Sequence, residues 1–142
     1  MAVSVRNEPV RNVIRLHGAS LYYLFERPLV DGTPEFEIRV ATLEDAPFRV
    51  LARIPASRVP NPTLSPDGKW LAQALIDGNT SNIWVLSTTT GRWRQITDFG
   101  ERATFMVRRL SWSSDGRSIL AAVAEGNSDI VVLQGLVNVG HQ

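Results

Sequence analysis

No cysteine occurs among the 142 residues, which excludes a disulfide framework, a thiolate metal site and a cysteine nucleophile. The same absence suits reducing and oxidising compartments alike. Histidine is scarce: His17 and His141 are the two available to a catalytic triad, and no G-x-S-x-G pentapeptide places a serine on a nucleophile elbow. His17 adjoins a predicted turn and His141 lies one residue from the end, so both read as turn or tail residues, and the chain is expected not to be an enzyme. Neither sign of charge prevails, because 15 basic and 14 acidic side chains leave a net charge of +1; no global field draws the protein to nucleic acid or to an anionic membrane. Lysine is nearly missing, with Lys69 standing against fourteen arginines, and no function is drawn from that bias. No apolar run approaches the roughly 20 residues that span a bilayer, and residues 1–10 carry no apolar core of a signal peptide. A complete chain of this kind is expected in the cytoplasm.

What is present is a soluble globular balance of 44% hydrophobic and 20% charged residues, cut by turn dipeptides at Asp31-Gly32, Asp67-Gly68, Asp77-Gly78 and Asp115-Gly116. Between them lie short runs of strand length and composition, such as Trp70 to Ile76, Asn82 to Leu86 and Ser118 to Val123. The best helical stretch, Leu43 to Phe48, is short and interrupted by Pro47. The pattern predicts an all-β protein.

Two blocks recur. Leu64-Ser65-Pro66-Asp67-Gly68-Lys69-Trp70-Leu71-Ala72 returns as Trp112-Ser113-Ser114-Asp115-Gly116-Arg117-Ser118-Ile119-Leu120, 48 residues on, and Asn82-Ile83-Trp84-Val85-Leu86 returns as Asp129-Ile130-Val131-Val132-Leu133 at an offset of 47. Two separated blocks at nearly one spacing indicate a structural repeat. A degenerate earlier copy runs through His17 to Leu24 and Phe36 to Val40, with Phe48 to Ile54 in the place that Trp93 to Thr97 takes in the middle copy. The repeat units are 13–55, 60–98 and 108–135 of a single propeller-like segment, 1–142. Each reads as four short antiparallel strands joined by hairpins. In the middle unit these fall at Asn61 to Ser65, Lys69 to Ile76, Asn82 to Ser87 and Trp93 to Thr97. Pro66 presets one dihedral, Asp67 bonds nearby amides and Gly68 accepts a positive φ, so the triplet makes a tight reversal.

In combination, these blocks with Arg94-Gln95-Ile96-Thr97 resemble the WD-repeat-like units of TolB-type β-propellers, a bacterial protein type in the main. The resemblance implies a partial β-propeller of about three four-stranded antiparallel blades, used as a protein-interaction or scaffold module. As the alternative it admits an accessory or sensor segment of a larger hydrolase, kinase or transcriptional regulator, and it allows a periplasmic location. Propellers have about 4 to 8 blades, and three would leave their end faces uncovered. The chain is therefore expected to belong to a longer protein, to associate with itself, or to form an arc with modified ends. Leu136 to Gly140 does not repeat the fourth strand; Ala2 to Arg6 is a candidate to supply one, in the same chain or in a second copy.

Other chemistry is weakly represented. Asp77-Gly78-Asn79-Thr80-Ser81-Asn82 spaces oxygen ligands as the start of a calcium loop does, but Asn82 stands where that loop needs glycine and Thr88 where it needs glutamate. A hairpin turn is expected there, with no metal and no cofactor. Arg92, Trp93, Arg94, Arg102, Arg108 and Arg109 interleave with Phe99 and Phe105 as a nucleic-acid surface would; Asp98 and Glu101 dilute them, and a charged rim that blocks unwanted strand pairing is the expected role. The partner is expected to be a protein, met by loops at one mouth of the stack, Ala56 to Pro62 and Asp98 to Phe105. Trp84 and Trp112 are expected to fill space between blades, and Trp70 and Trp93 to be more exposed.

Overall fold

The chain was analysed as a computed structural model, which describes residues 10–28, 31–32, 34–42, 47–55, 60–106, 109–126 and 130–133, with the backbone alone at 11, 28, 55 and 130–133. The described residues form twelve strands and no helix, so none among them contains a helix able to cross a membrane. The chain divides into two compact units, 1–60 and 61–142.

The first unit is a four-stranded antiparallel meander of β1 (Val10–His17), β2 (Ser20–Pro28), β3 (Pro34–Thr42) and β4 (Arg49–Pro55) in sheet order β1-β2-β3-β4. The β1–β2 hairpin closes with His17 opposite Ser20; Gly18, at φ 57°, supplies the left-handed backbone that the two-residue reversal requires. The register of β2 on β3 runs unbroken from Ser20 opposite Thr42 to Pro28 opposite Pro34. Adjacent residues Tyr23 and Leu24 point to opposite faces of the sheet, yet both are 0% exposed. Burial on both faces explains why Leu21 to Leu24 reads as a continuous apolar run rather than an alternating one.

The second unit begins with β5 (Thr63–Leu64), β6 (Trp70–Asp77), β7 (Thr80–Ser87) and β8 (Trp93–Gln95), again antiparallel in chain order. These overlap the four strands expected of the middle repeat, but β5 is cut to two residues, β6 lies one residue later, β7 starts two residues early and β8 ends two residues early. The hairpin reverses over Gly78 and Asn79 alone, with Asp77 opposite Thr80 and Gly78 at φ 58°, so no calcium-type loop forms. A third group follows: β9 (Thr104–Met106) and β10 (Ser111–Trp112) pair with β11 (Ile119–Glu125), which also pairs with β12 (Ile130–Leu133). Its first strand thus begins at Thr104. The segments Ala2 to Arg6, Leu43 to Ala46 and Leu136 to Gly140, and His141, lie outside the described residues.

The repeated turns are equivalent bond for bond. Ser65 Oγ donates to Asp67 Oδ1 at 2.6 Å and accepts from the Trp70 amide at 3.0 Å, while Asp67 Oδ1 accepts from the Lys69 amide at 3.0 Å. Ser113, Asp115, Arg117 and Ser118 make the same three bonds at 2.6, 3.0 and 3.0 Å. Gly68 and Gly116 both sit at positive φ, 74° and 71°. Between these two groups of strands lies one apolar core, built from Ala72, Ile83 and Val85 on one side and Leu110, Ile119, Ala121 and Val123 on the other, with Trp70, Ile96, Met106 and Trp112 packed against it. Each fully buried Ile or Val contributes about 1.5–3 kcal/mol relative to exposure.

A hollow on the middle blade

Strand alternation determines which side chains of the middle blade share a face. The pairs Gln73 with Trp84, Leu75 with Asn82, Asp77 with Thr80 and Trp84 with Gln95 place these residues on the face opposite Ala72, Ile83 and Val85. At the hairpin end of that face Leu75, Asp77, Thr80, Asn82, Trp84, Gln95, Asp98 and Gly100 line a hollow of about 300 Å³, bordered also by Ile76, whose side chain belongs to the opposite face.

Side-chain bonds hold its far wall, the loop after β8. Asn82 Oδ1 accepts from the Thr97 hydroxyl at 2.9 Å and from the Phe99 amide at 3.1 Å, and Thr97 Oγ1 accepts from the Ile83 amide at 2.9 Å. Thr80 Oγ1 lies 2.8 Å from the Arg102 carbonyl oxygen and 3.3 Å from that of Gly100. Thr104 Oγ1 accepts from the Ser81 amide and donates to the Ser81 carbonyl, both at 3.0 Å. Asp98 Oδ1 accepts from the Gly100 amide at 2.9 Å. The Asp77 carboxylate and the Trp84 indole N–H make no hydrogen bond or ion pair among the described residues.

The expected binding loops are reached in part. Asp98 to Ala103 forms the wall just described, whereas Thr104 and Phe105 belong to strand β9. Of Ala56 to Pro62, residues 56–59 lie outside the described set, Pro60 and Pro62 are buried, and Asn61 Oδ1 accepts from Arg109 Nε at 2.9 Å. The basic–aromatic series is dispersed. Trp93 and Arg94 are neighbours in β8 on opposite faces; Arg102 pairs with Glu125 at 3.0 Å and lies 5.2 Å from the Phe99 ring centre; Arg108 is outside the described residues. Trp112 bridges the two strand groups of the second unit, its indole N–H donating to the Thr63 carbonyl at 3.0 Å. Trp70 packs against the core, and Trp84 lines the hollow. His17 ends β1 at a hairpin.

One cluster escapes the sequence reading. In the first unit Glu37 and Arg39 are 3% and 6% exposed. Arg39 Nε and Nη2 both donate to Glu37 Oε2, at 2.7 and 2.6 Å, and Arg53 Nε donates to Oε1 at 3.2 Å. The Arg39 guanidinium lies 3.6 Å from the Phe25 ring centre and 4.0 Å from that of Phe48. Burial raises the pKa of Glu37, but the hydrogen bonds and charges of Arg39 and Arg53 outweigh it and hold the carboxyl below its ordinary 4.5. A Glu-x-Arg pair flanked by apolar strand residues is the signal that was available.

Neither family models nor curated protein sequences match this chain. Solved structures do. TolB from Acinetobacter baumannii matches over 87% of this chain with a TM-score of 0.61 at 21% identity. The fold is a partial β-propeller. An acylaminoacyl peptidase from Pyrococcus horikoshii matches over 80% of this propeller segment, with a TM-score of 0.56 at 23% identity. The segment spans 29% of the TolB chain and 17% of the peptidase chain.

Proposed function

We propose that this propeller segment is a non-enzymatic interaction or scaffold module that presents its loop surface to another protein. The observation that supports this is where its reactive side chains are spent. Ser65, Asp67, Thr80, Thr97, Thr104, Ser113 and Asp115 are committed to turns and inter-strand ties, while the Asp98 to Ala103 loop stands exposed beside an open hollow. A photo-crosslinking residue at Glu101, compared with one at Lys69 in the Ser65–Trp70 turn, tests this in the source cells. One protein enriched at Glu101 over Lys69 is expected; equal or no crosslinking at both overturns the reading.

The likeness to acylaminoacyl peptidase favours a second reading, an accessory or sensor segment beside an enzyme domain. In that case the Glu101 crosslink would join this segment to a hydrolase, kinase or regulator domain encoded in the same reading frame.

A further inference from the structure

We propose that the hollow on the middle blade accepts an arginine side chain projecting from the partner protein; this rests on the reading of the segment as an interaction module. Size argues first. At about 300 Å³ the hollow is at the lower limit of small-molecule pockets, which suits one side chain rather than a cofactor. Chemistry argues second. Leu75 and the Trp84 ring offer an apolar wall for an aliphatic stem and an aromatic face for a cation, and Asp77 and Asp98 supply two carboxylates. An anionic ligand would be repelled, and an apolar one would cover the Asp77 carboxylate without giving it a bond.

No cation among the described residues pairs with Asp77 or Asp98, and Arg102, on the adjoining loop, is engaged by Glu125 and Phe99. The chain also shows how it holds arginine elsewhere. Arg39 lies between two phenylalanine rings on Glu37, and Arg102 lies over Phe99 on Glu125. Aromatic ring plus carboxylate is the recurring arrangement, and the hollow has both without the arginine. A planar guanidinium can stack on Trp84 and still donate several hydrogen bonds at its edges, which an ammonium cannot.

The probe is the blocked tripeptide acetyl-Gly-Arg-Gly-amide, titrated into the isotope-labelled full chain while the four indole N–H resonances are followed by NMR. A Trp84→Phe variant assigns the signal. The Trp84 resonance is expected to move saturably, with affinity at least tenfold weaker in the Asp77→Asn/Asp98→Asn variant and declining as salt rises from about 20 to about 200 mM. The other three indole signals report that each variant remains folded. The citrulline tripeptide, equal in shape and uncharged, is expected to leave Trp84 unmoved. An unmoved Trp84, an equal response to citrulline, an unaffected double variant, or tighter binding of the lysine tripeptide overturns the proposal. A Glu101 crosslink that persists in a variant unable to bind the tripeptide would sink the arginine acceptor alone. Tripeptide binding with no crosslinked protein would sink the interaction reading instead.

Discussion

Glu37 and Arg39 occupy positions where a charged side chain is expensive. Each is nearly removed from water, and the pair persists because its geometry is close, its remaining lone pairs meet Arg53, and two aromatic rings cover the guanidinium. Removing one member leaves a buried charge without compensation, so Glu37→Ala is expected to lower stability by about 3–5 kcal/mol in chemical denaturation. Replacing both residues by apolar ones of similar volume should be far milder. The same cluster predicts a pH dependence. Because the folded carboxyl titrates below its ordinary 4.5, the unfolded chain binds more protons in that interval. The contribution is complete above about pH 4.5 and disappears as pH falls through the lower folded-state value. Denaturation midpoints between about pH 6 and pH 3 should fall less steeply in Glu37→Gln than in the parent. Only the Glu-x-Arg spacing among apolar strand residues hinted at this, and charges at alternate strand positions ordinarily mark a solvated face.

At the scale of elements, the turns were the most legible feature because they are self-contained. In each, a serine, an aspartate and a glycine within six residues satisfy one another and the local amides. Burial raises the pKa of Asp67, and the Ser65 hydroxyl and Lys69 amide more than reverse this; at Asp115 the Ser113 hydroxyl and the Arg117 amide lower it. The two turns differ in setting. Ser65 is buried and Ser113 half-buried, so Ser65→Ala, which strands the Trp70 amide, should cost about 1–3 kcal/mol. Ser113→Ala should cost measurably less, because water reaches the Ser118 amide; paired urea titrations check the order. The strands of the middle blade were legible for a similar reason, while the hollow was not. Its lining comes from two strands, a closing strand and a loop, and only register brings Trp84 beside Gln95 and Asp98. The early start of β7 was hidden because Thr80 and Ser81 look like turn residues until the Arg102 carbonyl bonds the first and Thr104 the second.

For the whole molecule, the question is what satisfies surfaces that further blades cover in a longer propeller. Among the described residues strand β1 lies at the edge of its sheet, with Val13 51% and Leu16 43% exposed, and exposed apolar edges invite pairing with another chain. We infer that the isolated chain associates with itself. Light scattering coupled to gel filtration should give a dimer or larger species, and Val13→Lys with Leu16→Lys should return it to monomer. A parent chain that is monomeric at all concentrations would overturn the inference.

The Ser81–Thr104 tie bears on how such a gene can change length. Thr104 opens the first strand of the last repeat, yet its hydroxyl and amide are bonded to Ser81 and Asn79 of the repeat before it. A recombination joint between β8 and Thr104 would orphan both partners, whereas one at the boundary of the compact units, between Pro60 and Asn61, leaves them together.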